Sequence, residues 1–215
     1  MVAAAASAQV APTSAEIAGY TGLLAAAARG DAAQIGRLIA AKEDVNARDA
    51  YGRTPLHVAA VGRHRDAIAA LAKGGADLNL KERDRYDAVT IAAVANDPAT
   101  LRLLLQLGAS AMQVTSRYDG TALIAAAHLG HDEVVKLLID AGAPLDHVNN
   151  LGWTALIESI VLGNGGPRHV ETLRALVRAG ANVNLADRNR ETPLQLARSR
   201  GFKAMVEILE KAGAK

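Results

Sequence analysis

The sequence predicts an all-α solenoid of six helix–turn–helix repeats with short hairpin arms. Three observations predict it. A four-residue window of the type Thr-Pro-Leu-His recurs with starts at Thr21, Thr54, Asp87, Thr121, Thr154 and Thr192, spaced by 33, 33, 34, 33 and 38 residues. A second anchor follows most of these starts by 21 residues, at Gly75, Gly108, Gly142 and Gly213, with Lys42 in that place in the first repeat. Half of the 215 residues are hydrophobic but only 3% are aromatic, so the core must be built from Ala, Leu, Val and Ile. Such side chains suit closely packed helices, and a fixed period near 33 residues is the mark of a stacked array.

Residues 1–16 stand before the array. Ala6-Ser7-Ala8 ahead of Gln9 fits the small-x-small pattern of a signal-peptidase site. The stretch before it is short and lacks basic residues. These residues are therefore expected to be a signal-peptide remnant or an Ala-rich disordered leader, in a periplasmic or secreted protein, with a cytoplasmic location as the alternative. Residues 17–215 form the repeat domain, with repeats beginning near 17, 49, 82, 116, 149 and 187.

Within each repeat the pattern reads helix, short turn, helix. In the second, Thr54 is placed to cap the first helix, and Pro55 suits its first position because no N–H donor is needed there. The third repeat departs from the pattern. Asp87-Ala88-Val89-Thr90 replaces the tetrapeptide, Asn96 stands where a glycine is usual, and an extra residue near positions 113–117 predicts an irregular hairpin. In the fourth, residues 121–129 make the first helix and about 132–141 the second, where Val134, Val135, Leu137 and Leu138 give a wide apolar face. In the fifth, Gly180 lies 26 residues after Thr154, so five extra residues fall inside the repeat. Aligning Gly163 with Gly130 and His169 with His131 assigns them to Asn164, Gly165, Gly166, Pro167 and Arg168. Gly-Gly-Pro predicts a flexible turn with a stiff exit, either a ligand-gripping loop or a tolerated surface insertion. In the last repeat, Arg198, Arg200 and Lys203 give the polar outer face expected of a cap.

The helix starts, the Gly-His-x-Glu at residues 130–133 and the Gly-Ala-Asp-x-Asn at residues 75–79 resemble the ankyrin family, over about residue 17 to the C-terminus. The second half is similar to a group of bacterial ankyrin proteins, through TALIESIVLGNGGPRHVETLRALVRAGANVNLAD at residues 154–187 and TPLQLA at residues 192–197. The resemblance implies a non-enzymatic scaffold that binds another protein through its hairpin tips and concave helix surface. Some members of that group accompany catalases, which implies as an alternative an accessory factor for a periplasmic enzyme. A small-ligand module using the Gly-Gly-Pro loop is a further alternative.

Helix faces are fixed by packing, whereas hairpin tips carry no packing duty and are free to suit a partner. The tip residues are Tyr51, Arg53, Arg83, Arg85, Tyr86, Arg117, Tyr118, Leu151, Trp153, Arg188 and Arg190. Three of the four tyrosines and the only tryptophan are among them, and Tyr, Trp and Arg are the types that dominate binding hot spots. Tyr86, Tyr118 and Trp153 are expected at the centre of the face.

Other chemistry is not encoded. The formal net charge is only +2, and acidic residues sit among the tip arginines, so a nucleic-acid partner is not expected. There is no cysteine, no phosphate loop, no paired-His helix and no nucleophile elbow, which argues against a catalytic, metal or cofactor site. No run of about 18 apolar residues is present for membrane insertion. A monomer is expected.

Overall fold

The computed structural model describes residues 11–215. It divides into two compact units, one ending at Ser110 and the other beginning at Ala111. The first unit holds α1 (Ser14–Gly19), α2 (Gly22–Arg29), α3 (Ala32–Ala40), α4 (Pro55–Val61), α5 (Arg65–Lys73), α6 (Ala88–Val94) and α7 (Pro98–Gln106). The second holds β1 (Val114–Thr115), β2 (Gly120–Thr121), α8 (Ala122–Leu129), α9 (Asp132–Asp140), α10 (Ala155–Val161), α11 (Pro167–Arg178), α12 (Pro193–Ser199) and α13 (Lys203–Lys211). From α2 onward the helices form the six expected pairs, so the chain is an all-α repeat array. No helix among the described residues is long and apolar enough to cross a membrane.

Local chemistry sets the helix ends. Thr54 and His57 form a reciprocal capping box at α4, and Thr192 and Gln195 do so at α12. Asp87, Thr121 and Thr154 accept the equivalent N–H bond at α6, α8 and α10. The His57 ring also reaches the Tyr86 carbonyl at 3.2 Å, which fixes Nε2 as the protonated nitrogen and ties α4 to the next tip. Burial holds the His57 pKa down to about 4. After the second helix the chain must turn left-handed, and it does so at Gly75, Gly108, Gly142, Gly180 and Gly213. Lys42 takes the same conformation at φ 62°.

Packing follows from small side chains. Ala26, Ala27, Ala59, Ala60, Ala92 and Ala93 are buried on the first helices, so α2, α4 and α6 stack closely, with α3, α5 and α7 stacked beside them. In the second unit α8, α10 and α12 stack through Ala126, Ala127, Ile157 and Ala197, and α9, α11 and α13 through Val135, Leu138, Leu173 and Leu209.

Two expectations need correction, and a third takes a definite form. The leader boundary at residue 16 falls inside α1, which Thr13 and Glu16 start with a capping box; residues 1–10 lie outside the described residues. The irregular hairpin is a two-residue ladder pairing Val114 with Thr121 and Thr115 with Gly120. Its extra residue is absorbed by left-handed Ser116 and Asp119. The five-residue insertion is not a free loop. Pro167 and Arg168 are the first residues of α11, which at 12 residues is longer than α9 at 9. Gly163, Asn164, Gly165 and Gly166 make the turn, and a Cβ on Gly165 would lie 2.5 Å from the Phe202 ring, so the turn covers the next repeat. The added helical turn keeps His169 in reach of the His128 carbonyl at 2.9 Å, the contact that His64 makes to Ala28 at 3.1 Å.

Candidate functional site: the hairpin tips

Every tip from the second repeat on is closed by one device. A polar side chain at the first tip position accepts from the backbone N–H groups two and four residues later. Asp49 accepts from Tyr51 and Arg53 at 2.8 and 2.9 Å, and Glu82 from Asp84 and Tyr86, both at 3.0 Å. Ser116 accepts from Tyr118 and Gly120 at 3.2 and 3.4 Å, and Asn149 from Leu151 and Trp153, both at 3.0 Å. Asp187 accepts from Asn189 and Glu191 at 2.8 and 3.0 Å. The residue between the two donors is left-handed: Gly52, Arg85, Asp119, Gly152 or Arg190.

This turn sorts the tip residues. The second residue after the acceptor stands at the crest and the fourth returns to the helices. Tyr51 and Leu151 are accordingly 43% and 38% exposed. Arg53 and Tyr86, both expected on the binding face, are only 2% and 7% exposed and are removed from it. Trp153 is half-buried by the same rule, and Tyr118 is half-buried on its crest. Arg83, Arg85, Arg117, Arg188 and Arg190 are exposed as expected.

The tips also carry structural duty, contrary to expectation. Arg83 donates its backbone N–H to the Tyr51 carbonyl at 2.9 Å and its guanidinium to the Ala50 carbonyl at 2.6 Å. Asn150 repeats this strap to Tyr118 and Arg117, at 2.9 and 3.0 Å. The Arg188 stem lies over Gly152, where a Cβ would meet its Cγ at 2.4 Å.

In the first unit the tip opens onto a cavity of about 340 Å³ whose walls include Tyr20, Leu24 and Tyr51. Its floor is a saturated charge network. Arg53 donates to Asp49 at 2.6 Å and to Glu16 at 3.0 Å, while the Tyr20 hydroxyl donates to Asp49 at 2.7 Å. Burial and the Asp49 bond push the Tyr20 phenol well above its usual range. Burial pushes Asp49 up, but the Tyr20 and Arg53 bonds outweigh it and hold the carboxyl low. The Tyr51 ring lies against two guanidinium groups, Arg53 at 4.6 Å and Arg83 at 5.3 Å from its centroid.

In the second unit Asn149 is buried and uses both ends of its amide. Its oxygen holds the tip, and its nitrogen donates to Glu158 Oε1 at 3.0 Å. Glu158 is buried on α10, and its Oε2 lies 3.4 Å from His128 Nδ1. Burial pushes the Glu158 carboxyl up to about 7 and the His128 imidazole down, the latter helped by His169. Both shifts favour neutral partners, so the contact is a close approach of two polar groups rather than a fixed ion pair.

A family model of ankyrin repeats (3 copies) matches residues 4–82 and 89–187. The chain belongs to the ankyrin repeat family. It is 33% identical to the putative ankyrin repeat protein YahD of Escherichia coli over 192 residues, covering 89% of this chain and 95% of YahD. An ankyrin repeat domain from Acinetobacter baumannii is 44% identical with a TM-score of 0.85, covering 90% of this chain and 98% of that one. A chain from the complex of the Bd0816 predatory endopeptidase of Bdellovibrio bacteriovorus with immunity protein Bd3460 is 25% identical with a TM-score of 0.72, covering 89% and 98%.

Sequence reasoning missed Glu16, Tyr20, Glu158 and His128. For Glu158 a signal was present. It occupies the helix position that aligned ankyrin repeats fill with Ala25, Val58, Ile91, Ala125 and Leu196, so a carboxylate there marks a special site. Glu16 gave none, because its partner Arg53 is 37 residues away and read as exposed.

Proposed function

We propose that this ankyrin repeat protein is a non-enzymatic binding module whose partner protein contacts the tip crests. Crest residue Tyr51, with Arg83 against its ring, forms the contact in the first unit, and crest residues Leu151 and Tyr118 form it in the second. Family membership supports the protein-binding role. The observation that carries the residue assignment is Tyr51: a large exposed ring, set against two guanidinium groups at the mouth of an open cavity. A ring already held in place loses little freedom on binding, and such aromatic anchors dominate interface energetics.

An enzyme is the partner class favoured by one comparison, since a similar chain occurs in a complex that contains an endopeptidase. The Gly-Gly-Pro turn, packed on Phe202, lends no support to a ligand-gripping role. A periplasmic or secreted location is proposed on Ala6-Ser7-Ala8 alone, and N-terminal sequencing of the cell-fractionated protein tests it.

The binding reading is tested by a photo-crosslinking amino acid placed at Tyr51, with the same group at exposed Lys136 on α9 as control. A discrete crosslinked species from Tyr51 and none from Lys136 supports it. Equal crosslinking from both positions contradicts it.

A further inference from the structure

The tip that carries Leu151 and Trp153 is wired to a buried acid as no other described tip is. Asp49, Glu82 and Asp187 hold their turns with carboxylates and Ser116 with a hydroxyl. None of these groups has an N–H to donate. Asn149 does, and because it is buried that N–H needs an acceptor inside the protein. Glu158 Oε1 supplies it at 3.0 Å. The opposite carboxyl oxygen is buried with no hydrogen-bond partner within normal distance, and it faces His128 Nδ1 at 3.4 Å. A small rotation closes that gap. A chain of contacts, open only at that 3.4 Å step, thus runs from a partly exposed imidazole through a buried carboxyl and a buried amide to the two N–H groups that shape the tip.

We propose that Glu158 and His128 together hold one dissociable proton, and that its loss loosens the tip of Leu151 and Trp153 through Asn149. With the proton present, the Glu158 acid donates to His128 Nδ1, or the carboxylate accepts from the imidazolium; either way the pair is neutral overall. Loss of the proton to solvent leaves one net negative charge in a buried site. Relief comes from turning the carboxylate toward water past His128, and Oε1 then leaves Asn149.

The groups around the pair do not supply a replacement cation. On α8 the neighbour is His128 itself. From α11, His169 directs Nε2 to the His128 carbonyl and Nδ1 to Asn164 Oδ1 rather than to Glu158, and Glu171 pairs with Arg174. From α12, Arg200 donates to the Val161 carbonyl at the far end of α10, and Arg198 pairs with Glu210. On the tip side, the Arg188 stem covers Gly152. No lysine or arginine pairs with Glu158 among the described residues. The upward displacement of the Glu158 carboxyl by burial agrees with this geometry and places the event near neutral pH.

Glu158 is therefore a positioning residue for one tip. The test needs no partner, because Trp153 is the only tryptophan and reports the tip directly. Trp153 emission and the hydrogen-exchange protection of the Leu151 and Trp153 amides are followed from pH 5.5 to 8.5, a window chosen around that value of about 7. As pH rises towards the midpoint, protection should fall by up to about tenfold per pH unit, the limit for one linked proton, and level off above it. Glu158→Gln keeps an acceptor for Asn149 and a donor for His128 but has no proton to lose, so its emission and protection should stay flat. The ¹³C shift of the wild-type Glu158 carboxyl supplies a second readout that needs no variant, and its midpoint should coincide with that of Trp153. A flat wild-type response, a Glu158→Gln protein that titrates like wild type, or two different midpoints would each overturn the proposal.

Discussion

At the scale of single residues, an arginine two places past a tip crest does a different job from one beside the crest. Arg53 is buried and bridges Asp49 to Glu16 on α1, whereas Arg83 stays exposed over the Tyr51 ring. Arg53→Ala removes the shared cation from this network. It should destabilise the protein by about 3 kcal/mol, the low end for a broken buried pair because Glu16 reaches water, and chemical denaturation measures this. Arg83→Ala should change stability much less. The distinction was not legible in the sequence. Both arginines occur in tip segments, and only the turn register, set by which side chain accepts the two N–H groups, tells inward from outward. Tyr86 was misplaced for the same reason. The exposure of Tyr51 and Leu151 was legible because crests have nowhere to pack.

Two buried titratable residues give opposite pH signatures. The His57 pKa is held from 6.5 down to about 4, so the stability that goes with its neutral ring is present above pH 6.5 and lost as pH falls through 4. The Glu158 pKa is raised from 4.5 to about 7, so the matching stability is present below pH 4.5 and lost as pH rises through 7. Each effect is worth about 3 kcal/mol at full extent. The two windows nearly coincide and the effects oppose, so they largely cancel in the wild type; denaturation midpoints should fall toward acid in Glu158→Gln, where only the His57 effect remains, and fall as pH rises from 4.5 to 7 in His57→Gln.

At the scale of elements, the repeat period was enough to place the helix pairs, because 3.6-residue apolar spacing and the Thr and Gly anchors act locally. Leu138, read from that spacing, is fully buried on α9. Leu138→Ala should cost roughly 2–5 kcal/mol by leaving a cavity, measured by the same denaturation. The insertion was harder to read, because composition alone does not show that Pro167 opens a helix rather than closing a loop. Two contacts beyond its own segment decide the outcome: His169 reaching back to α8, and Gly165 lying on Phe202. The turn is consequently intolerant of side chains. A Cβ on Gly163 would lie 2.0 Å from the Ser159 carbonyl oxygen, so Gly163→Ala should force the chain away from α10. Its thermal midpoint should fall clearly below that of Asn164→Ala, which loses only hydrogen bonds at an exposed position.

At the scale of the molecule, two units built from one repeat plan present different tips. The first offers an aromatic crest set against guanidinium groups above an open cavity, and the second offers apolar side chains on a tip tied to a buried acid. This division follows from substitutions at tip positions that leave the helix anchors untouched, which is how a repeat fold acquires a particular partner without changing its core. The central claim is that the tip crests bind while the helices hold the fold. It is tested most directly by calorimetric titration of the partner captured through Tyr51 against wild-type protein and Tyr51→Ala, with unfolding free energies measured on both. The variant should bind with at least a roughly 30-fold weaker Kd, the equivalent of an aromatic hot spot of about 2 kcal/mol, with little change in stability. An unchanged Kd, or a stability loss large enough to explain the weakened binding, would contradict it.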